Sequence, residues 1–303
     1  MNTEIFNKYL PIINIYYPEC TSEKVALLDE GHDHYVFLVN KMHAFRFPRT
    51  DAHGKQDHVI NAFSQKFAPI SPVPIQKMAG HVDPKTSIKY QTYDFIPGVT
   101  LSRELAASLT EGELIEIAKD MGGFLSRLHT FPLDQAREMQ MDELVSPPDY
   151  GEYFKDFLKK DRIAFFSLLS EKEQVWIDQS IEAFYNLTRE HSFPFTVTHS
   201  DMLAEHILID EITHRLSGVI DFSLRIADPA NDFKVFDGYG EAFLKAVYEN
   251  YLPVDEYFDK RRAFYAGNLP GANLYQAIER SDAKMVNQYL RELKEYISNH
   301  PST

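Results

Sequence analysis

Residues 198–210 read THSDMLAEHILID, and residues 218–233 read GVIDFSLRIADPANDF. The first stretch parses as a short strand, FTVTH (195–199), a polar loop, and a second strand, HILID (206–210). A third strand, LSGVIDF (216–222), follows the turn EITHR. His199, Asp201, His206 and Asp221 therefore fall where short strands meet loops, and loops held on a rigid scaffold are where chemistry concentrates. A lone His-x-Asp at a strand end is commonly a capped turn, and a lone histidine beside Ile-Leu-Ile is commonly a core residue. With Asp221 added, the set is far more specific than its members. Phosphoryl transfer to an alcohol needs a carboxylate to receive the hydroxyl proton and ligands that hold Mg²⁺ against nucleotide phosphates. Asp201 answers the first need. Asp221 can anchor Mg²⁺, which takes only one or two protein carboxylates, while His206 is a less usual ligand because imidazole suits softer metals.

Outward from this segment the chain has two halves of different character. On the N-terminal side, EKVALLD (23–29), YVFLV (35–39), HAFRFP (43–48) and SIKYQTYDF (87–95) read as strands separated by turn formers. DHVINAFSQKF (57–67) reads as one helix, and the prolines of APISPVPIQK (68–77) enforce an extended connection. After FIPGVTL the periodicity becomes helical. Thr110 with Glu113, and Ser170 with Glu173, are capping boxes opening helices to His129 and to about Glu190. Residues 239–252, 255–267 and 281–297 are three more helices. The change of character near residues 94–98 implies an α+β, two-lobed chain: 1–95 β-rich, 96–303 mainly helical, with Pro97-Gly98 as the hinge.

Composition narrows the class. At 303 residues and 44% apolar the chain can bury a large core without staples. Cys20 is the sole cysteine, which excludes an internal disulfide framework and fits a reducing, cytoplasmic setting. The N-terminus lacks the basic start and apolar run of a signal peptide, and no apolar run approaches a membrane span. With 45 Asp+Glu against 31 Lys+Arg, a formal charge of −14 argues against nucleic acid and is compatible with a cationic small ligand.

The two stretches quoted above resemble the catalytic-loop and metal motifs of the antibiotic kinases, in particular the aminoglycoside phosphotransferases of the 2-double-prime group and the macrolide phosphotransferases. Many members of that family carry Asn where this sequence has His206, but these two subgroups share the histidine. The resemblance implies a protein-kinase-like bilobal fold, Mg²⁺, and ATP or GTP as phosphate donor. It makes Asp201 the catalytic base, Asp221 and His206 the metal ligands, and His199 a support for the loop. Asp228 and Asp232 brace the same loop and cap the following helix. Arg46 in HAFRFPRT takes the place of the phosphate-holding lysine, Gly31 belongs to the loop over the phosphates, the backbone from Asp94 to Ile96 meets the base, and Tyr93 is the bulky residue just before it. The helix glutamate that pairs with this cation in kinases has no counterpart in DHVINAFSQKF, leaving Asp57, His58 and Asn61 as alternatives. For the acceptor, an aminoglycoside-like polycation would call on carboxylates such as Asp149, Asp237 and Glu241. The aromatic helices 239–252 and 255–267 equally suit a bulky macrolide. A metabolite kinase and a non-catalytic nucleotide binder are the alternatives, and the oligomeric state is left open.

Overall fold

The sequence expectation of a strand at HAFRFP is met residue for residue, and its alternation decides how the N-terminal half is built. The computed structural model describes residues 3–18, 25–30, 34–50, 54, 56–144 and 149–300. Helix α1 (Thr3–Tyr16) precedes strands β1 (Val25–Glu30), β2 (His34–Val39) and β3 (His43–Pro48), and helix α2 (Asp57–Phe67) precedes β4 (Ala79–Val82) and β5 (Lys89–Asp94). The five strands form one antiparallel sheet in the order β1-β2-β3-β5-β4. Successive side chains on a strand point to opposite faces. Phe45 and Phe47 of β3, with Phe37 and Tyr90, therefore meet Phe6, Tyr9, Ile12 and Ile13 of α1. Tyr9 stacks on Phe47 with ring centroids 4.2 Å apart. Ala44 lies on the other face, in the core that contains Val59, Ile60, Phe63 and Phe67 of α2. Arg46 shares that second face with Gln91, its register partner on β5.

Helix α1 was not anticipated. Its apolar residues do recur at helical spacing, but Pro11 stands inside it, where it removes one intrahelical hydrogen bond. Burial of the aromatic face against the sheet outweighs that loss.

The C-terminal half contains β6 (Val99–Thr100), α3 (Arg103–Ser108), α4 (Glu111–His129), α5 (Leu133–Glu138), α6 (Tyr150–Phe165) and α7 (Glu171–Glu190). Strands β7 (Thr196–Thr198), β8 (Ile207–Ile209), β9 (Leu216–Val219) and β10 (Arg225–Ala227) follow, then α8 (Glu241–Glu249), α9 (Phe258–Glu279) and α10 (Ala283–Asn299). Both expected capping boxes form, each with the serine or threonine side chain taking the N3 N–H and the glutamate taking the cap N–H. Strands β6-β8-β9 make a three-stranded sheet, and β10 pairs with β7. The extended connection after α2 docks on β9 through Val219 N–H to Pro74 O at 3.1 Å and so ties the N-terminal half to the strand that leads to Asp221.

Two expectations at the C-terminal helices differ from the structure. Helix α9 does not stop at Gly267 but runs on through Pro270 and Gly271 to Glu279. Its glycines serve packing, since a Cβ on Gly267 would stand 3.0 Å from Tyr296 and one on Gly271 3.3 Å from Phe165. Helix α6 was not anticipated either, although it buries Tyr150, Leu158 and Phe165 on one face. Just before β6, Gly98 has φ +150°, and a Cβ there would lie 2.4 Å from Ser217 Oγ and 3.0 Å from Ile209 O. No side chain fits where β6 enters its sheet.

Candidate active site

The loop after β7 is held by buried groups. Asp232, at zero exposure, accepts the His199 N–H at 2.7 Å with one oxygen and the Ser200 N–H at 2.9 Å with the other. His129 Nε2–H also donates to it at 3.0 Å, and the Tyr251 hydroxyl lies 2.6 Å from His129 Nδ1. Burial alone would raise the Asp232 carboxyl, but His129 and these N–H donors outweigh it and hold the group below the ordinary carboxylate value. Asp228 is equally buried and joins Arg261 Nε at 2.8 Å, the Tyr265 hydroxyl at 2.9 Å and the Ala230 N–H at 3.1 Å. Asp228 caps the turn Pro229–Phe233, whereas Asp232 lies within it and braces the loop after β7 without capping a helix; neither exposes anything to a ligand.

Two histidines then lock this loop to the one bearing Asp221. His199 is fully buried, and burial lowers its pKa, so the ring is neutral. Its Nε2–H donates to Ile220 O at 2.9 Å, leaving Nδ1 to accept the Asp201 N–H at 3.3 Å. His206 Nδ1–H donates to the Asp201 carbonyl at 2.6 Å. That bond fixes the tautomer and leaves the Nε2 lone pair facing Asp221 Oδ2 at 3.5 Å and Glu205 Oε1 at 3.9 Å. Asp221 itself has φ +60° and donates its N–H to Gln76 Oε1 at 3.0 Å, and Ser200 has φ +66°. Left-handed backbone at a non-glycine residue costs energy that surrounding bonds must offset, and two of the several such residues described fall at the carboxylates in question. The Asp201 and Asp221 side chains are 42% and 53% exposed, so they open to solvent while their supports do not.

The cation arrives from β3. Arg46 is almost buried; its Nη1 donates to Gln91 Oε1 at 2.7 Å and to Asp57 Oδ1 at 3.2 Å, and its Nη2 stands 3.8 Å from Asp221 Oδ1. Of the three α2 residues left as alternatives, Asp57 is the one that pairs with Arg46. Asn61 instead takes Gln91 Nε2–H at 2.8 Å, one step behind. His34 Nε2 lies 3.3 Å from the same Asp57 oxygen. Arg46 therefore spans from α2 to the Asp221 loop.

Adjacent ligands of an octahedral Mg²⁺ at about 2.1 Å stand roughly 3 Å apart. The 3.5 Å between His206 Nε2 and Asp221 Oδ2 is near that span, so the pair fits a shared ion with little movement. Among the described residues no group of three His, Cys, Asp or Glu is gathered to hold a metal unaided. An ion here would complete its shell with water and phosphate oxygens.

Compared with known proteins, residues 24–265 match the model of the phosphotransferase enzyme family, well over half of the chain. The chain belongs to that family. A phosphotransferase solved with GDP and kanamycin, APH(2'')-IIia, superposes on this one with a TM-score of 0.82 at 19% identity, over 97% of this chain and 99% of that one. The streptomycin-ATP ternary complex of APH(2'')-IIa gives 0.67 at 19% identity, over 97% and 96%. The macrolide 2'-phosphotransferase MphH of Brachybacterium faecium gives 0.64 at 15% identity, over 97% and 98%. At such identities the likeness shows the fold, which is the kinase-like bilobal one.

In this phosphotransferase the remaining expected residues are placed unevenly. Gly31 lies outside the described residues. Tyr93 is buried at the end of β5, Asp94 is exposed with its carboxylate accepting from His43 Nδ1 at 2.9 Å, and half-buried Ile96 covers Gly218. Asp149 is exposed just before α6. Asp237 is taken by Arg262, which also donates to Asp259 at 3.0 Å. Glu241 opens α8 and lines a shallow cleft with Leu244, Lys245, Tyr248 and Arg262. Sequence reasoning passed over Gln76, Gln91, His34, His129 and Lys234. None belongs to a motif, and only tertiary contact gathers them.

Proposed function

We propose that the protein transfers the γ-phosphoryl group of ATP or GTP to a hydroxyl of an antibiotic-like small molecule. Residues 1–95 serve in this reading as the nucleotide-binding lobe and residues 96–303 as the lobe of catalysis and acceptor binding, in a cytoplasmic enzyme. The observation that carries it is the locked pair of loops: the His199 side chain and the His206 carbonyl bind the Asp201 segment to the Asp221 segment through Ile220, His206 Nδ1–H holds the Asp201 carbonyl, and Arg46 faces Asp221 from the other half of the molecule. A nucleotide binder uses the cation and the metal-holding Asp221 but has no use for a base, whereas Asp201 is a second half-exposed carboxylate on the locked loop.

Asp201 accepts the proton of the attacking hydroxyl and aligns it for in-line displacement. Arg46, fixed by Gln91 and Asp57, meets the phosphate oxygens of the donor, with Tyr93, Asp94 and Ile96 against its base. Asp221 and His206 would hold Mg²⁺, which supplies charge neutralisation at the transferred group. Because its parts are fixed beforehand, the site acts by positioning and by charges already in place.

Structurally similar enzymes have been solved with GDP and kanamycin, with streptomycin and ATP, and with ADP. Aminoglycosides and macrolides are accordingly the first acceptors to test, with Asp149, Glu241 and the cleft of α8 as candidate contacts. The protein is incubated with Mg²⁺, ATP or GTP, and panels of aminoglycosides, macrolides and metabolite alcohols, and mass spectra are recorded. Gain of one phosphate on an acceptor is the expected result. Nucleotide binding with no phosphorylated product from any class would overturn it.

A further inference from the structure

His34 is a buried histidine with no part so far in the proposed transfer. It opens β2 on the face that carries Arg46, since Val36, two residues on, is the register partner of Arg46 on β3. Its side chain is 6% exposed, and Nε2 stands 3.3 Å from Asp57 Oδ1. A ring nitrogen that faces a carboxylate oxygen carries the proton, so Nε2 is a donor here. The contact is nevertheless not a hydrogen bond. Nε2 is buried, and among the described residues it has no acceptor suitably in line. A buried donor without a bond costs free energy and calls for a physical reason.

The oxygen it faces supplies one. Asp57 Oδ1 already accepts from Arg46 Nη1 at 3.2 Å, a long bond for a charged pair. The same Nη1 is held more closely by Gln91 Oε1 at 2.7 Å, and Nη2 lies 3.8 Å from Asp221 Oδ1. Phosphate oxygens arriving beside Asp221 would draw the guanidinium away from α2. The Asp57 carboxylate, mostly buried, would then lose part of its counter-charge where little water can replace it. His34 Nε2–H stands close enough to the same oxygen to make up that loss with a small movement.

Resting on the phosphotransferase reading, we propose that His34 is a positioning residue for the phosphate donor: it takes hold of Asp57 Oδ1 as Arg46 turns to the nucleotide phosphates. The bond forms only with nucleotide in place, so its free energy appears in nucleotide binding and not in folding. His34 touches neither the metal nor the reacting atoms, and it leaves the chemical step alone.

The test titrates the full chain by calorimetry with Mg²⁺ and a non-hydrolysable ATP or GTP analogue, and unfolds it in urea without nucleotide. His34→Phe keeps a flat ring and removes the donor, whereas His34→Gln keeps an N–H near the Nε2 position. His34→Phe is expected to weaken nucleotide binding about tenfold, the scale of one hydrogen bond to a charged group, with no fall in the urea midpoint. In turnover, nucleotide KM rises with it and kcat stays within about twofold. His34→Gln restores most of the affinity. In an Asp57→Ala background the His34→Phe effect shrinks below about twofold, since the oxygen it serves is gone. Wild-type affinity in His34→Phe, or a loss that persists at full size without Asp57, overturns the proposal. So does a urea midpoint lowered in His34→Phe and restored in His34→Gln, the mark of a bond that exists without nucleotide. Should His34→Phe not fold, His34→Ala carries the same comparison. Absence of nucleotide binding to wild type defeats the phosphotransferase reading itself, a separate failure.

Discussion

Asp57 shows what a single residue does in this site. Its carboxylate is 13% exposed and faces Arg46 at 3.2 Å, inside an interior that gives such a pair little competing water. Removing one partner of a mostly buried ion pair leaves the other uncompensated. Gln91 still holds Arg46 after the change, so the penalty for Asp57→Ala is expected near the lower end, about 1–3 kcal/mol. The freed guanidinium can then turn toward Asp221, 3.8 Å away, and nucleotide KM is expected to rise about tenfold with a smaller change in kcat. Urea unfolding and steady-state kinetics on the same preparation check both numbers; an unchanged KM would take Asp57 out of the phosphate site. Asp201→Asn separates binding from chemistry. It keeps the shape of the side chain and the backbone bonds to His199 and His206, and it removes only the proton acceptor. Turnover is expected to fall by a factor on the order of 10² to 10⁴, the usual range for a general base. Nucleotide affinity measured by calorimetry should stay within about twofold, because a general base contributes to the proton-transfer step and little to ground-state binding.

Elements carry the next level of evidence. Gly98 enters β6 at φ +150° with Ile209 O and Ser217 Oγ where a side chain would go. Gly98→Ala is therefore expected to destabilise by about 1–3 kcal/mol. Gly123→Ala in the middle of α4, where a Cβ meets nothing within 4 Å, should stabilise by about 0.5–1 kcal/mol. Opposite shifts in urea midpoint test the two together. The N-terminus of α4 has its own pH signature. A hydrogen bond from His214, with the Thr110 hydroxyl and N–H, holds the Glu113 carboxyl down at about 2. A carboxyl depressed in the fold stabilises above its unfolded value near 4.3 and loses that contribution as pH falls toward 2. The stability gap between wild type and Glu113→Gln should thus be full at pH 6 and shrink between those two values. A gap constant across that window would remove the clamp. Local signals of this kind are why α4 and α7, with their capping boxes, and β3 and α2, with clean periodicity, were legible in the sequence. Helix α9 runs beyond residue 267, where sequence periodicity alone would end it, because Tyr296 and Phe165 use Gly267 and Gly271 as docking surfaces. Strands β6 and β10 are only two and three residues long, and their pairing is set by partners far away in the chain. At the site, motif spacing brought out Asp201, His206 and Asp221. Asp57 and His34 carry no such pattern, and only packing shows what they face.

At the scale of the whole molecule, the two halves meet around Arg46. One contributes the sheet that fixes Arg46, and the other the loop of Asp221, joined by Val219 N–H to Pro74 O and by Asp221 N–H to Gln76. Nucleotide with Mg²⁺ would add a bridge between the same two surfaces, and a ligand that binds the folded state alone stabilises it by RT ln(1 + [L]/Kd), about 2.7 kcal/mol at a hundredfold excess over Kd. For a chain of 303 residues this corresponds to a rise in Tm of roughly 4 °C. Arg46→Ala should abolish most of that rise, since it removes the cation on the sheet side. Asp201→Asn should keep it, since the bridge does not use the base. Asp221→Asn should lose the part that depends on Mg²⁺ while retaining what EDTA leaves in wild type. Thermal scans with ATP, GTP and their diphosphates, with and without EDTA, therefore sort the variants into those that break the bridge and those that break the chemistry. Equal shifts in all four proteins would mean that nucleotide binds elsewhere than between Arg46 and Asp221.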